Sequence, residues 1–267
     1  MLRKLLKYEF KATARTMVPL YIVLIAFSLF HLVINPLDVL ESTGNTSIRT
    51  IIAMLDIMLY VVLIVGLSIM TLVIMIQRFY KNLLGDEGYL MFTLPVKPWL
   101  HIISKLLISM LWGITSFLVT MGSVLIISQV PNLAKELGQV IEIFKQFLGV
   151  AGFFTVPLYG LIAIASSTVM IYAAMALGHL FSRRRVLASF GMYIILYIVY
   201  QVVLSVCMLS VTIFYGSDWA NIDQMAIIPA ATQINLVIIF FTLASFVLTA
   251  ASFTVTNLIL KKRLNLE

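Results

Sequence analysis

Two ionisable residues, Asp56 and His31, lie inside long apolar runs, and they are the residues there best suited to chemistry. A titratable side chain in such a run is costly to bury, and it often marks a proton relay, an ion pathway or a substrate contact. An intramembrane enzyme or a proton-coupled carrier needs several such groups with partners at helical spacing, which these runs do not contain. Each residue lies near the end of its run, which favours an interfacial position and leaves a substrate contact as the alternative.

Methionines surround Asp56 in the second run. Met54 and Met58 flank it, and Met70 and Met75 follow further along. Their flexible, polarisable side chains suit a surface that accepts varied apolar partners. Asp56, Met54 and Met58 are therefore the candidates for a substrate path, although packing against lipid or other helices is the simpler interpretation of the methionines.

Signatures of enzymatic chemistry are missing from the sequence. No G-x-S-x-G occurs, and no glycine is followed by lysine, which excludes a Walker A loop. The three histidines form no metal-ligand pattern, and Cys207, as the single cysteine, cannot form an internal disulfide. We predict that the chain is not an enzyme by itself and carries no catalytic residue, metal site or cofactor.

The polar stretch 78–105, between the second and third apolar runs, has the composition of a docking surface. It reads RFYKNLLGDEGYLMFTLPVKPWLHIISK, with a helix-forming segment at 79–84 and a turn at 85–88. Apolar residues then occur beside charged ones, as in protein interfaces: Tyr89, Leu90, Phe92 and Trp99. An aromatic segment lying on the lipid surface is the alternative.

The elements that must position these residues are six apolar runs. Hydrophobic residues make up 62% of the chain and charged residues 11%, against about 25% charged in ordinary globular domains. Each run approaches the roughly 20 residues that a helix needs to cross a bilayer. We predict an all-α membrane protein whose single transmembrane domain, residues 1–267, contains spans at 17–34, 51–76, 106–128, 150–178, 186–214 and 234–260.

The distribution of lysine and arginine predicts the orientation in the membrane. Of the 18 basic residues, only Arg49, Lys135 and Lys145 lie on one side of the predicted spans. Basic residues near span ends are retained in the cytoplasm, so both termini are predicted to be cytoplasmic. Topology and anionic lipid account for the formal charge of +7, and we predict no nucleic-acid partner.

Two segments outside the spans have helical amphipathicity. The first, at 2–17, places five basic residues opposite an apolar arc, and we expect it to lie along the inner leaflet. Glu9 projects into that apolar arc, where it either pairs locally or at the headgroups, or contacts a partner protein. The second, within 131–148, predicts a helix on the outer leaflet.

The string GDEGYLMFTLP at 85–95, placed between the second and third of six spans, and the opening LLKYEFKATART at 5–16 are distinctive. With both, the chain resembles the ABC-2 type permeases of Gram-positive bacteria. Those proteins lie in the bacterial cell membrane and are the membrane subunits of ABC exporters, whose ATPase is a separate, cytoplasmic polypeptide.

This resemblance implies a partner assembly. The segment 82–92 would be a coupling helix seated in the ATPase, with Asp86 and Glu87 pairing with basic residues and Tyr89 and Phe92 packing against apolar surface. The N-terminal 1–16 would be the family's elbow helix. Two permease subunits, as a homodimer, would join two ATPase subunits, which bind ATP and magnesium. The segment 215–233 is too short for the family's two re-entrant helices.

The leading hypothesis is export of an amphipathic, membrane-active peptide such as an antimicrobial peptide. Three basic residues on the predicted outer face stand against six acidic ones, which favours cationic cargo: Asp38, Glu41, Glu136, Glu142, Asp218 and Asp223. The alternatives are an ABC exporter of lipid or drug, a secondary carrier, and a non-transporting sensor or anchor that recruits a cytoplasmic partner.

Overall fold

The structure is a computed structural model that describes residues 2–34, 48–85, 88, 97–128, 133–181, 184–215 and 230–262. Within these ranges the regular structure is helical. The α-helices are α1 (Leu2–Ile34), α2 (Ile48–Phe79), α3 (Pro98–Ile127), α4 (Leu133–Leu148), α5 (Gly152–Gly178), α6 (Arg185–Tyr215) and α7 (Ala230–Lys262). A π-helical turn, Tyr80–Leu84, continues α2.

Six of these helices, all except α4, are long and apolar enough to cross a membrane. The prediction of an all-helical chain with six candidate spans is therefore confirmed, and the architecture indicates a multi-pass membrane protein. The helix predicted within 131–148 is also present, as α4.

The N-terminal segment differs from its predicted form. Residues 2–16 are helical, but they continue into the first span as one helix of 33 residues, with no separate elbow element. Residues 2–18 contain neither glycine nor proline, so nothing in the sequence ends the helix there. Pro19 lies inside α1 and removes a single backbone hydrogen bond without terminating it.

The helices on either side of the polar stretch are longer than predicted. The second span was expected to end at residue 76, whereas helical structure continues to Leu84. The third was expected from residue 106, whereas α3 begins at Pro98, a residue well suited to a first helical turn. Hydropathy locates the membrane-crossing part of a helix, while polar residues can continue the same helix beyond it.

The chain forms two compact units. Unit 1 comprises Met1–Arg78 and Ile103–Asn132, and unit 2 comprises Phe79–Ile102 and Leu133–Glu267. Unit 1 thus contains α1 and most of α2 and α3, and unit 2 contains α4 to α7 together with residues 79–102.

The core of unit 1 is built on one stripe of α1. Met17, Tyr21 and Leu24 recur at helical spacing and are buried, with exposed fractions of 0%, 7% and 1%. They pack with buried side chains of α2 and α3, among them Trp112. The predicted apolar arc of the N-terminal segment therefore packs, at Met17, against protein.

Polar side chains bond the helices of unit 1 together. The Ser116 hydroxyl is hydrogen-bonded to Tyr21 at 2.8 Å and to Thr71 at 3.0 Å, so one residue of α3 joins α1 and α2. The Trp112 indole N–H donates to the Thr13 hydroxyl at 2.7 Å. Such interhelical bonds are worth about 1 kcal/mol each in membrane proteins.

The core of unit 2 is built on small residues of α5. Ala173, Ala174, Ala176 and Gly178 are buried where α5 packs against α6 and α7. A side chain added at Gly178 would overlap the backbone of Ser189 in α6. Small residues allow helix backbones to approach closely, which supplies dispersion energy where lipid removes the hydrophobic driving force.

A single amide side chain joins three helices at one end of unit 2. The buried Asn235 of α7 donates from Nδ2 to the carbonyls of Leu148, the last residue of α4, and Ala231, both at 2.6 Å. Its Oδ1 accepts a hydrogen bond from the Thr155 hydroxyl of α5, also at 2.6 Å. Asn235 thereby satisfies a carbonyl that the end of α4 would otherwise leave without an intrahelical donor.

Candidate functional site

The polar stretch after α2 starts from an ordered base, the π-helical turn Tyr80–Leu84. The Gly85 N–H donates to the first carbonyl of this turn at 2.8 Å, and the Gly88 N–H donates to the Gly85 carbonyl at 2.8 Å. The last three side chains of the turn are buried. Turns of this kind are rare and frequently occur at functional sites.

Two aromatic contacts fix this base within unit 2. Phe79 is fully buried and stacks on Tyr172 of α5, with ring centroids 4.0 Å apart. Tyr80 meets His179, the residue after α5, edge to face at 5.7 Å. The start of the polar stretch is therefore held to the end of α5.

The imidazole of His179 links this base to the start of α6. Nη1 of Arg185 lies 3.4 Å from Nε2 of His179. Burial lowers the pKa of His179 below the ordinary value of 6.5, and the neighbouring Arg185 guanidinium lowers the pKa further, against an opposing effect of the Leu84 backbone. The imidazole is accordingly neutral at neutral pH, with Nε2 able to accept a hydrogen bond from Arg185.

The four predicted docking residues, Asp86, Glu87, Tyr89 and Phe92, lie outside the described residues, so their role stays a prediction. Trp99, another member of the predicted apolar patch, is described in the first turn of α3 and is 39% exposed. One aromatic side chain of the patch is therefore available at the surface of unit 2.

Glu9 is paired inside the chain. Its Oε1 lies 2.5 Å from Nζ of Lys105 in α3, and the two residues are only 8% and 3% exposed. The cation that a carboxylate in the apolar arc requires is thus present in unit 1. Lys105 is the last basic residue before the third apolar run, and that position is the signal from which the pair could have been predicted.

The pair lines a small open cleft in unit 1, which encloses about 280 Å³ including its mouth. Apolar side chains of α1, α2 and α3 form most of its wall, and Arg78 contributes a second cation. One carboxylate and two cations give the cleft a net positive charge. An anionic group would therefore be attracted to it, and a metal ion would be repelled.

Asp56 and His31, separate candidates in the sequence, are brought together in unit 1. Oδ2 of Asp56 contacts Nδ1 of His31, and both residues are buried. The His31 ring also packs against Tyr60, with centroids 5.9 Å apart, and the Tyr60 hydroxyl is hydrogen-bonded to Ser123 at 2.8 Å. The partner of Asp56 was missed because it lies on another helix.

The predicted path residues do not share one surface. Met54 and Met58 are 53% and 65% exposed, whereas Asp56 between them is 7% exposed. In the described part of unit 1, the two methionines face outward and the aspartate faces the interior. Their role as substrate-path residues stays a prediction.

Among the described residues, no group of three or more His, Cys, Asp or Glu side chains could hold a metal ion. No protein-family model, curated protein or solved structure matches the chain. The functional argument consequently depends on the residues themselves.

Proposed function

We propose that this chain is the transmembrane permease subunit of an ATP-driven ABC exporter in a bacterial cell membrane. As a homodimer it would pair with two copies of a separate ATPase, which bind ATP and magnesium. Both termini and the polar stretch 78–105 would face the cytoplasm. The cargo would be an amphipathic, membrane-active peptide.

The ordered base of the polar stretch is the observation that carries this proposal. A loop that only connects two spans has no need of a buried π-helical turn held by aromatic rings to α5. A segment that receives force from a partner does need such a base. If a bound ATPase moved residues 86–95, the movement would be transmitted to α5 through the contact between Phe79 and Tyr172.

The mechanism would be coupling between two sites. ATP closes the ATPase pair, and the closed pair must favour a different permease conformation through its contact with the docking segment. The coupling free energy of such linked equilibria is typically about 1–3 kcal/mol. The permease needs no chemistry on its cargo, in keeping with the absence of catalytic motifs from its sequence.

The surface of α4 supports amphipathic cargo. Its exposed residues include the carboxylates Glu136 and Glu142 and the apolar side chains Leu137, Val140 and Ile141. The exposed Lys135 and Lys145 balance these carboxylates, so α4 is formally neutral and offers a peptide apolar contacts beside groups of both charges.

The first test is whether an ABC-type ATPase is encoded beside the gene, and the docking interface is then tested by co-purification with that ATPase. Tyr89→Ala together with Phe92→Ala should reduce ATPase recovery by at least about tenfold, since buried aromatic anchors typically contribute 2 kcal/mol or more. The matched control is Phe117→Ala with Phe154→Ala, two aromatic residues that are exposed outside the stretch. Wild-type recovery of the ATPase by the Tyr89 and Phe92 variant would refute the docking assignment.

The cargo is tested with the co-purified complex in lipid vesicles. A cationic amphipathic helical peptide should stimulate ATP hydrolysis, and a scrambled peptide of equal charge without an apolar face should not. Stimulation of ATP hydrolysis by lipids or drugs, without stimulation by the peptide, would favour the alternative of a lipid or drug exporter. Failure to recover any ATPase with the wild-type chain would instead favour the sensor or anchor function.

A further inference from the structure

Two buried pairs of ionisable side chains in unit 1 lie at two separate heights on α1. Glu9, near its start, pairs with Lys105 of α3, and His31, near its end, pairs with Asp56 of α2. Ionised side chains are strongly disfavoured in the centre of a bilayer and tolerated near its boundaries. The distance between the two pairs along α1 can therefore be compared with the thickness of a bilayer.

The same spacing occurs on α1 and α2, and the length of α3 beyond Lys105 agrees with it. Positions 9 and 31 of α1 are 22 residues apart, and so are Asp56 and Arg78 of α2. Arg78 lines the cleft that also contains Glu9 and Lys105, so these three residues share one height. From Lys105 to the last residue of α3, Ile127, the separation is again 22 residues.

This spacing matches the thickness of a bilayer. A rise of 1.5 Å per residue converts 22 residues to about 33 Å, against a hydrocarbon thickness of about 30 Å. The outward-facing side chains of α1 and α2 between the two heights are largely apolar: Val18, Ile22, Val23, Ile25, Leu29, Phe30, Met58, Leu59, Val61, Val62, Val65, Ile69, Met70, Leu72 and Ile76.

Two cations of α1 lie between the heights and must be reconciled with this spacing. Lys11 and Arg15 are exposed, about 3 Å and 9 Å along the helix from Glu9. Their long stems allow both head groups to reach back toward the headgroup layer. No charged side chain occurs in α1 between Arg15 and His31.

We propose that a phospholipid bilayer surrounds unit 1 between these two buried pairs, with lipid phosphates at the height of Arg78 and Lys105. The His31–Asp56 pair lies at the opposite headgroup layer. The start of α1, up to Tyr8, extends out of the hydrocarbon as a continuation of the same helix. This placement is independent of the proposed exporter function.

Spin-label depth measurements test the placement. In a Cys207→Ser background, which has no other cysteine, single cysteines are introduced at exposed positions of α1 and labelled: Tyr8→Cys, Val18→Cys, Ile22→Cys and Val33→Cys. The protein is reconstituted in phosphatidylcholine–phosphatidylglycerol vesicles, and collisions with oxygen and a polar nickel chelate report depth. All four side chains point away from the core, so both buried pairs remain intact.

The deepest labels should be midway between the pairs, at positions 18 and 22, and depth should increase by about 1.5 Å per residue from position 8. On α2, labels at Val65→Cys and Ile69→Cys should be deepest, and Ile51→Cys should be shallow. Constant depth across Tyr8→Cys, Phe10→Cys and Arg15→Cys would show a helix lying flat on the membrane. That result, or a depth maximum displaced by more than about two turns, would overturn the placement without affecting the docking experiment.

Discussion

Units 1 and 2 hold their helices together by different physical means. Unit 1 uses polar groups, with the buried Glu9–Lys105 ion pair, the buried His31–Asp56 contact and a set of hydroxyl and indole hydrogen bonds between α1, α2 and α3. The centre of unit 2 relies on close packing, where small residues of α5 meet α6 and α7. Both solutions replace the hydrophobic driving force that lipid removes.

The two units should differ in which substitutions they tolerate. An ion pair fixes a register through two specific side chains, and loss of either leaves a buried charge. A contact between small residues fixes only the distance between two helix backbones. A larger side chain at the contact would force the helices apart, whereas substitution of polar residues elsewhere would have little effect. We therefore expect unit 1 to be most sensitive to removal of charge and unit 2 to addition of volume.

The largest effect is expected from breaking the Glu9–Lys105 pair. Glu9→Gln or Lys105→Met alone should destabilise the protein by about 3–5 kcal/mol, since each leaves an uncompensated buried charge. The double variant should lose much less than the sum of the single losses. The measurement is the thermal unfolding midpoint in detergent, and additive losses would mean that the pair is not coupled.

A smaller effect is expected from overfilling unit 2. Gly178→Ala should cost about 1–3 kcal/mol because the new methyl group overlaps the Ser189 backbone. Gly160→Ala is the control on the same helix, because nothing lies within 4 Å of the added atom. Equal unfolding midpoints for the two variants would contradict the close contact between α5 and α6.

The smallest effect is expected from the titration of His179. Its pKa is lowered in the folded protein, so the unfolded chain binds the proton more tightly, and stability should fall as pH decreases below about 6.5. His179→Gln retains an acceptor for Arg185 but cannot be protonated. Between pH of about 7.5 and 5.5, the wild type should lose stability relative to this variant, and parallel pH profiles would exclude a contribution from His179.

The spans and the surface helix α4 could be predicted from the sequence because hydropathy and helical amphipathicity are local properties. Helical structure at 2–17 and 79–84 was predicted, but its continuity with the spans was not, since hydropathy falls where the helix does not end, and the helical residues 98–105 of α3 were not predicted. The two compact units depend on contacts between distant residues, and the single transmembrane domain stays a prediction.

Pairing between distant residues could be predicted only in part. The position of Glu9 in an apolar arc indicates that a cation is required, but Lys105 is 96 positions away and becomes the partner only when α1 packs on α3. His31 and Asp56 are adjacent only because α1 and α2 align at that height. The docking residues 86, 87, 89 and 92 remain sequence-based predictions.

The Asn235 amide connects α4 to α5 and α7, so movement of these helices could be observed from α4. Because Asn235 of α7 also accepts a hydrogen bond from Thr155 of α5, its bond to the Leu148 carbonyl joins α4 to both helices, and α4 cannot lift away without breaking that bond. Movement of α7 in unit 2 should therefore be transmitted to α4. A fluorophore attached at Gln139, on its exposed side, would report any tilting of α5 and α7 from outside the bundle.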